Sequence, residues 1–262
     1  MKLFERMFDD AAIFPPGNAP MASAVAAYVE QKRTPYGALV GPFVCSAARL
    51  PELTAQLEAQ GTALELVLVA GPQAFDAAVD SAISDSRLTL RAVEVRMGTD
   101  DTAPVMPDGV DLFLEFPWGV EPVIPEGAAR KMRTGGLEAS TFPSEAQLGD
   151  GIAWCVGNSV PFKLTAGLHD AIRWSDLVSG FEHHGFLNIA LATHAAIDTG
   201  DAAQLSSILG NRNSAQIADL IRQLTDDEVA AVRSLFRSFG TCNVADPIND
   251  LRALGLLNDG AV

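Results

Sequence analysis

The chain has 262 residues, of which 48% are hydrophobic, and it carries a formal net charge of −15. This length suits one α/β barrel domain or two small domains, with enough chain to build a large buried core. The negative charge argues against nucleic acid and against an anionic membrane as the main partner, because both attract basic surfaces, but a local basic pocket can still bind a small anionic substrate.

Short apolar runs alternate with helical patterns along most of the chain, which is typical of βα units around a parallel sheet. The candidate strands are residues 11–15, 38–44, 64–70, 91–97, 111–116, 129–134, 161–165 and 235–240. We therefore predict that residues 1–262 form a single (β/α)8 TIM barrel rather than an open doubly wound sheet.

Helix patterns follow the first three strands, at residues 20–33, 46–61 and 71–85, and the sixth strand, at residues 143–159. The crossovers at residues 99–109 and 117–127 are too short and proline-rich for a good helix. Residues 168–234, between the seventh and eighth strands, hold four helical patterns and are predicted to be an inserted helical region. It could cap the barrel mouth, form the contact of a homo-oligomer, or only add packing.

The cysteines Cys45, Cys155 and Cys242 are widely spaced and form no CxxC motif, which favours a reducing compartment. The first residues, "MKLFERMFDDAAIF", carry charges where a signal peptide needs an apolar run. We therefore expect a cytoplasmic protein. No GxGxxG, Walker A, GxSxG or HExxH motif occurs, so we expect neither a cofactor nor a metal.

Four neighbouring predicted strands carry ionisable side chains near their carboxyl ends, where barrel enzymes place their active sites. Strand alternation gives these inward residues: Glu94 and Arg96, then Glu115, then Lys131 and Arg133, then Lys163 and Thr165. The other lysines, Lys2 and Lys32, occupy plausible surface positions. Two acids with four bases leave excess positive charge, which suits an anionic ligand or favours the neutral, nucleophilic form of a lysine. If the strand parity is wrong, these charges face the helices instead.

Two of these strands resemble the lysine-bearing strands of the deoxyribose-phosphate aldolases. "KMRTG" at residues 131–135 is similar to that family's "KTSTG", whose lysine forms a Schiff base with the substrate. "KLTAG" at residues 163–167 is similar to its "KASGG", whose lysine perturbs the first. "RSFGTCNVADPINDLRALG", "FLEFPWG" and "GPFVCSAARLPEL" resemble three further segments, in the family's order. The resemblance implies a related barrel and an aldolase-like lyase acting on a small carbonyl or sugar-derived substrate.

The resemblance also implies roles for individual residues. Lys131 would attack the substrate carbonyl, protonated Lys163 would assist it, and Glu94 or Glu115 would transfer protons. Strand parity adds Arg96, and the place of His169 just past the seventh strand adds that residue. The predicted substrate-binding residues are therefore Arg96, Arg133, Thr134, Gly135, Gly136, Thr165, Gly167, His169, Gly240 and Cys242.

The chain departs from the family at three motifs. The family's catalytic aspartate would fall near Ala92, and the nearest acid on that strand is Glu94. The phosphate loop "GGI" becomes "AGL" at residues 166–168, and the serines of "GTSS" become Cys242 and Asn243.

Two other hypotheses stay open. In the first, the four inward cations bind an anion, and Glu115 with His169 performs acid–base isomerase or lyase chemistry without an imine. In the second, the barrel is a non-catalytic scaffold.

Some polar residues have weaker assignments. Asp9 and Asp10 precede the predicted first strand and are typical strand-entry charges, although Asp10 could lie in the site. His183 and His184 are adjacent, which suits a shared metal site poorly. Cys242 could be nucleophilic, but no histidine spacing identifies a Cys–His pair.

Overall fold

The structure, a computed structural model, describes residues 2–98, 101–136 and 138–257. Eight parallel strands close into a barrel, and a short antiparallel hairpin, β8 and β9, lies outside it. The strands are β1 (Phe8–Asp10), β2 (Val40–Ser46), β3 (Leu64–Ala70), β4 (Leu88–Arg96), β5 (Asp111–Glu115), β6 (Ala128–Arg133), β7 (Phe162–Thr165), β8 (Trp174–Ser175), β9 (Glu182–His183) and β10 (Phe236–Thr241). In the barrel β10 closes the ring between β7 and β1, which confirms the predicted (β/α)8 fold.

Helices surround the barrel where the sequence predicts them. They are α1 (Met21–Arg33), α2 (Leu50–Gln60), α3 (Phe75–Ser84), α4 (Glu145–Gly157), α5 (Phe186–Asp198), α6 (Ala202–Leu209), α7 (Ser214–Gln223), α8 (Asp226–Leu235) and α9 (Ala245–Ala253). The β5–β6 crossover and the described part of the β4–β5 crossover contain no helix, because their prolines interrupt the hydrogen-bond ladder that a helix needs. Residues 99–100 of the second of these lie outside the described residues.

The predicted first strand, residues 11–15, is wrong. The strand is Phe8–Asp10, paired with Phe239–Thr241 of β10. Residues 11–18 form turns instead, in which the Phe14 N–H donates to the Ala11 carbonyl, and Pro15 and Pro16 have no N–H to give to a ladder. As a consequence Asp9 points into the barrel.

Between β7 and β10 the chain first forms the β8–β9 hairpin and then the helices α5 to α8, so residues 168–185 of the predicted helical region 168–234 contain no helix. Most of α5 is buried, and its first residue, Phe186, has its ring centroid 5.7 Å from that of Phe8 and 5.1 Å from that of Phe239. Therefore α5 packs directly on the barrel strands as part of the helical layer. None of the helices in the described part of the chain is long and apolar enough to span a membrane.

The barrel interior holds a small apolar cluster made of Val44, Val67, Ala92, Phe113 and Ala129. Polar side chains at the same strand parity lie beside this cluster on β1, β4, β5, β6, β7 and β10. The Lys163 Nζ lies over the Phe113 ring, 5.4 Å from the ring centroid. Strand parity was therefore predicted correctly for β4, β5, β6 and β7.

Candidate active site

The two inward lysines are neighbours, and one carboxylate joins them. Lys131 of β6 lies opposite Lys163 of β7 in the strand register. The Glu94 carboxylate of β4 contacts both: Oε2 is 2.7 Å from the Lys131 Nζ, and Oε1 is 2.5 Å from the Lys163 Nζ. Glu94 therefore bridges two ammonium groups on neighbouring strands.

Two further carboxylates complete the pairing of the amines. Glu115 Oε2 lies 2.8 Å from the Lys131 Nζ, and Asp9 Oδ2 lies 2.6 Å from the Lys163 Nζ. Ser238 donates a hydrogen bond of 2.7 Å to the same Asp9 oxygen. Each lysine thus contacts two carboxylates, and this repays part of the large cost of burying its charge.

Arg133 ends the network at the barrel mouth, with its Nε 3.2 Å from Glu115 Oε1. The network therefore contains three cations, Lys131, Lys163 and Arg133, and three carboxylates, Asp9, Glu94 and Glu115. The predicted excess of positive charge is wrong for this network. The misplaced first strand hid Asp9, and Arg96 makes no polar contact with the other described residues.

Exposure of the network rises toward the carboxyl ends of the strands. The Lys163 side chain is 1% exposed, that of Lys131 is 7% exposed and that of Arg133 is 40% exposed. A ligand that enters at this end therefore meets Arg133 and then Lys131 before Lys163. A cavity of about 840 Å³ reaches Asp9 and Lys163 from the other end of the barrel, so the network is close to solvent at both ends.

The carboxyl groups of the network differ in proton affinity. Burial by itself would raise the pKa of Glu94, but the two ammonium groups outweigh it and lower that pKa to about 2. Burial raises the pKa of Asp9, and the charge of Lys163 offsets this only in part. Burial opposes the charge of Lys163, yet Asp9 and Glu94 keep its pKa above the ordinary value. Such a separation of carboxyl pKa values is typical of sites that divide acid and base roles.

Asp9 is the residue of this site that the sequence interpretation missed. It is 2% exposed and lies opposite Gly240 in the register of β1 and β10. A Cβ at Gly41 would lie 2.2 Å from Asp9 Oδ1, so glycine at that position makes room for the carboxylate. Pro15 and Pro16, which follow Asp9 in the chain, were the signal against a strand at residues 11–15.

The loops after β6 and β7 hold each other at the mouth. Thr134 is fully buried, and its hydroxyl donates a 2.5 Å hydrogen bond to the Ala166 carbonyl, which leaves it no donor for a substrate. Gly135 and Gly167 make close backbone contact, and a Cβ on Gly135 would lie 2.8 Å from the Gly167 Cα. A Cβ on Gly136 would lie 2.5 Å from the Thr141 Oγ1. These residues join the two strand ends, a role separate from the ligand contacts predicted for them.

We expect Gly135→Ala to lower the free energy of unfolding by about 1–3 kcal/mol, because the added methyl group meets backbone atoms that cannot move aside cheaply. Gly157→Ala is the matched control, since a Cβ there meets nothing within 4 Å. Urea denaturation of both variants checks this. Equal stability of the two variants would show that the β6–β7 contact is loose.

Thr165, Gly240 and Arg96 remain open to a ligand. The Thr165 hydroxyl is buried and has no hydrogen-bond partner among the described residues. It lies opposite Arg133 on β6 and opposite Gly240 on β10. Arg96 is exposed at the end of β4.

The histidines lie in separate environments. His169 contacts Thr241, Cys242 and Asp246 rather than Glu115. The His183 ring stacks on Trp174 at a centroid distance of 4.6 Å. Burial lowers the pKa of His184 to about 4, and this ring contacts Arg173 and the Pro143 carbonyl. No three metal-ligating side chains cluster as a metal site within the described ranges.

This arrangement places a primary amine, two proton acceptors and a buried ammonium group in one barrel mouth. An amine so placed can add to a carbonyl carbon once a carboxylate has taken its proton. Comparison with protein-family models gave no match, and comparisons with curated proteins and with solved structures gave no significant match.

Proposed function

We propose that the protein is an aldolase-like lyase that forms a Schiff base between Lys131 and a small carbonyl substrate. The observation that carries the proposal is that Lys131 and Lys163 lie opposite each other on neighbouring strands and share the Glu94 carboxylate. The resemblance of the two lysine strands to those of the deoxyribose-phosphate aldolases supports the same chemistry.

Lys131 is the better nucleophile of the two lysines on grounds of access and charge. Its side chain is more exposed than that of Lys163 and lies beside Arg133 at the mouth. Lys163 stays protonated, because its raised pKa keeps the charge. Glu94 and Glu115 are charged at rest, because the neighbouring cations lower their pKa values, and each has an oxygen within 2.8 Å of the Lys131 Nζ. The Lys131 proton therefore passes to one of them only as the amine adds to a bound carbonyl group.

The reaction then follows from these positions. The Lys131 nitrogen bonds to the carbonyl carbon, and the carbonyl oxygen receives a proton to give a carbinolamine. Loss of water, with a proton delivered by a carboxyl group, gives the imine. The imine accepts the electron pair of the bond between its α and β carbons as a base removes the proton of the β-hydroxyl group, which releases one carbonyl fragment and leaves an enamine. Protonation and hydrolysis of the enamine release the second fragment and free Lys131. Arg133 and Arg96 would bind an anionic end of the substrate.

Reduction with sodium borohydride in the presence of a panel of aldehydes and ketones tests the proposal. We expect at least one carbonyl compound to give one covalent adduct per chain, visible in the intact mass. If no compound in the panel gives an adduct with folded protein, the imine mechanism is contradicted.

The complete ion pairing of both amines favours a second candidate. In this case the lysines stay charged and bind an anion, and a carboxyl group performs isomerase or lyase chemistry. Lys131→Arg would then keep turnover on a substrate, whereas the aldolase mechanism loses it. If the protein shows neither a covalent adduct nor turnover, the barrel is a non-catalytic scaffold.

A cytosolic location and a homo-oligomer remain part of the proposal. The three free cysteines support the cytosolic location.

A further inference from the structure

A second nucleophile lies at the carboxyl ends of β7 and β10, outside the lysine network. Cys242 follows β10 and His169 follows β7, and the Cys242 Sγ lies 3.6 Å from the His169 Nε2. The other ring nitrogen, Nδ1, lies 3.3 Å from the Asp246 Oδ2. A thiol, an imidazole and a carboxylate are therefore in line.

The hydrogen bonds around His169 fix which nitrogen is basic. The Asp246 carboxylate, 3.3 Å from Nδ1, can only accept a hydrogen bond, and the Thr241 hydroxyl, 3.2 Å from Nδ1, is able to accept one as well. The Nδ1 atom therefore carries the proton, which leaves the Nε2 lone pair directed at the thiol.

Asp246 is itself held in place. The Asn243 side-chain amide donates a 2.7 Å hydrogen bond to Asp246 Oδ1, which turns Oδ2 toward the imidazole. Asp246 lies in the first turn of α9, and Asn243 lies two residues before that helix begins. Asp246 and Asn243 thus act as positioning residues for His169.

The thiol is partly exposed, whereas Cys45 and Cys155 are buried. Burial raises the pKa of Cys242, an effect that the Gly17 N–H opposes, so the resting group is a neutral thiol. Its reaction requires a base to take the proton, and His169 is positioned to do so. The Gly17 loop lies close, since a Cβ on Gly17 would be 3.0 Å from the Cys242 Cβ. Because of this crowding, only small reagents can reach the Cys242 sulfur.

We propose that Cys242, His169 and Asp246 form a second nucleophilic site that accepts small acyl groups from activated esters or thioesters. The Cys242 sulfur bonds to the acyl carbon while His169 takes the thiol proton. The bond from the acyl carbon to the leaving oxygen or sulfur breaks, and the leaving group departs with that proton or as an anion. The product is a thioester on Cys242. This chemistry does not rest on the proposed lysine imine.

The probe is p-nitrophenyl acetate with folded, full-length protein. We expect a burst of p-nitrophenolate close to one equivalent, with acetyl found on the Cys242 peptide and absent from those of Cys45 and Cys155. Cys242→Ala should abolish the burst, and His169→Gln should slow it by about 100-fold or more. His194→Gln is the control, because His194 lies on α5 and contacts Glu228 of α8 instead of the thiol.

Rescue by a second carboxylate separates a positioning role from a structural one. Asp246→Asn should slow the burst, because an amide is no longer only an acceptor for the Nδ1–H of His169, and Asp246→Glu should restore part of the rate. The titratable groups around the pair are Asp10, Asp170, His183, Asp246 and Asp250. If acetylation is slow, the rate of alkylation by iodoacetamide is compared instead between the native wild type and His169→Gln. An equal rate in His169→Gln, or acetyl on lysine alone, would overturn the proposal.

Discussion

Replacing Glu94 with glutamine should lower the free energy of unfolding by about 3–5 kcal/mol. Glu94 is 2% exposed and is the only carboxylate among the described residues that contacts both Lys131 and Lys163. Glutamine has nearly the same shape, but it carries no charge and places an NH₂ group beside an ammonium group. The variant would therefore leave two buried cations with one carboxylate each.

Urea denaturation near neutral pH measures this effect. The control is Glu52→Gln, which removes the surface carboxylate paired with Arg49 and should leave the midpoint unchanged. A midpoint for Glu94→Gln that equals that of the wild type would mean that the bridge contributes nothing to the fold.

Lys131→Met should reduce turnover on any carbonyl substrate by at least about 100-fold, because it removes the nucleophile that forms the covalent intermediate. The fold should tolerate it, since Glu94 keeps Lys163 as a partner and Glu115 keeps Arg133. Lys163→Met lacks this advantage, because Asp9 would keep only Ser238. Loss of stability should therefore be larger at position 163 than at position 131.

Steady-state kinetics and thermal unfolding of both variants separate the two effects. Lys2→Met serves as the control, since that side chain is 74% exposed and pairs only with Asp226 among the described residues. Wild-type turnover in Lys131→Met would assign the chemistry to another residue.

Much of the barrel could be predicted because its determinants are local. The alternation of side chains along β4 to β7 was sufficient to place Glu94, Glu115, Lys131 and Lys163 on one interior face. The helices carry local signals as well, such as the capping box in which the Ser144 side chain accepts from the Gln147 N–H.

The rest of the candidate site depends on contacts that local patterns do not record. Asp9 was missed because an apolar run was given more weight than Pro15 and Pro16 at its end. Cys242 and His169 are 73 residues apart, and only the neighbouring positions of β7 and β10 in the barrel bring them together. The glycines after β6 and β7 suggested a ligand loop, yet their backbones contact each other.

The central claim is that Lys131 forms an imine, and the location of a borohydride-trapped adduct tests it most directly. The chain has four lysines, so a protease digest and mass spectrometry assign the adduct to Lys2, Lys32, Lys131 or Lys163. We predict a single modified peptide that contains Lys131 and no adduct in Lys131→Met. An adduct that persists in Lys131→Met, or one confined to Lys2 and Lys32, would contradict the account.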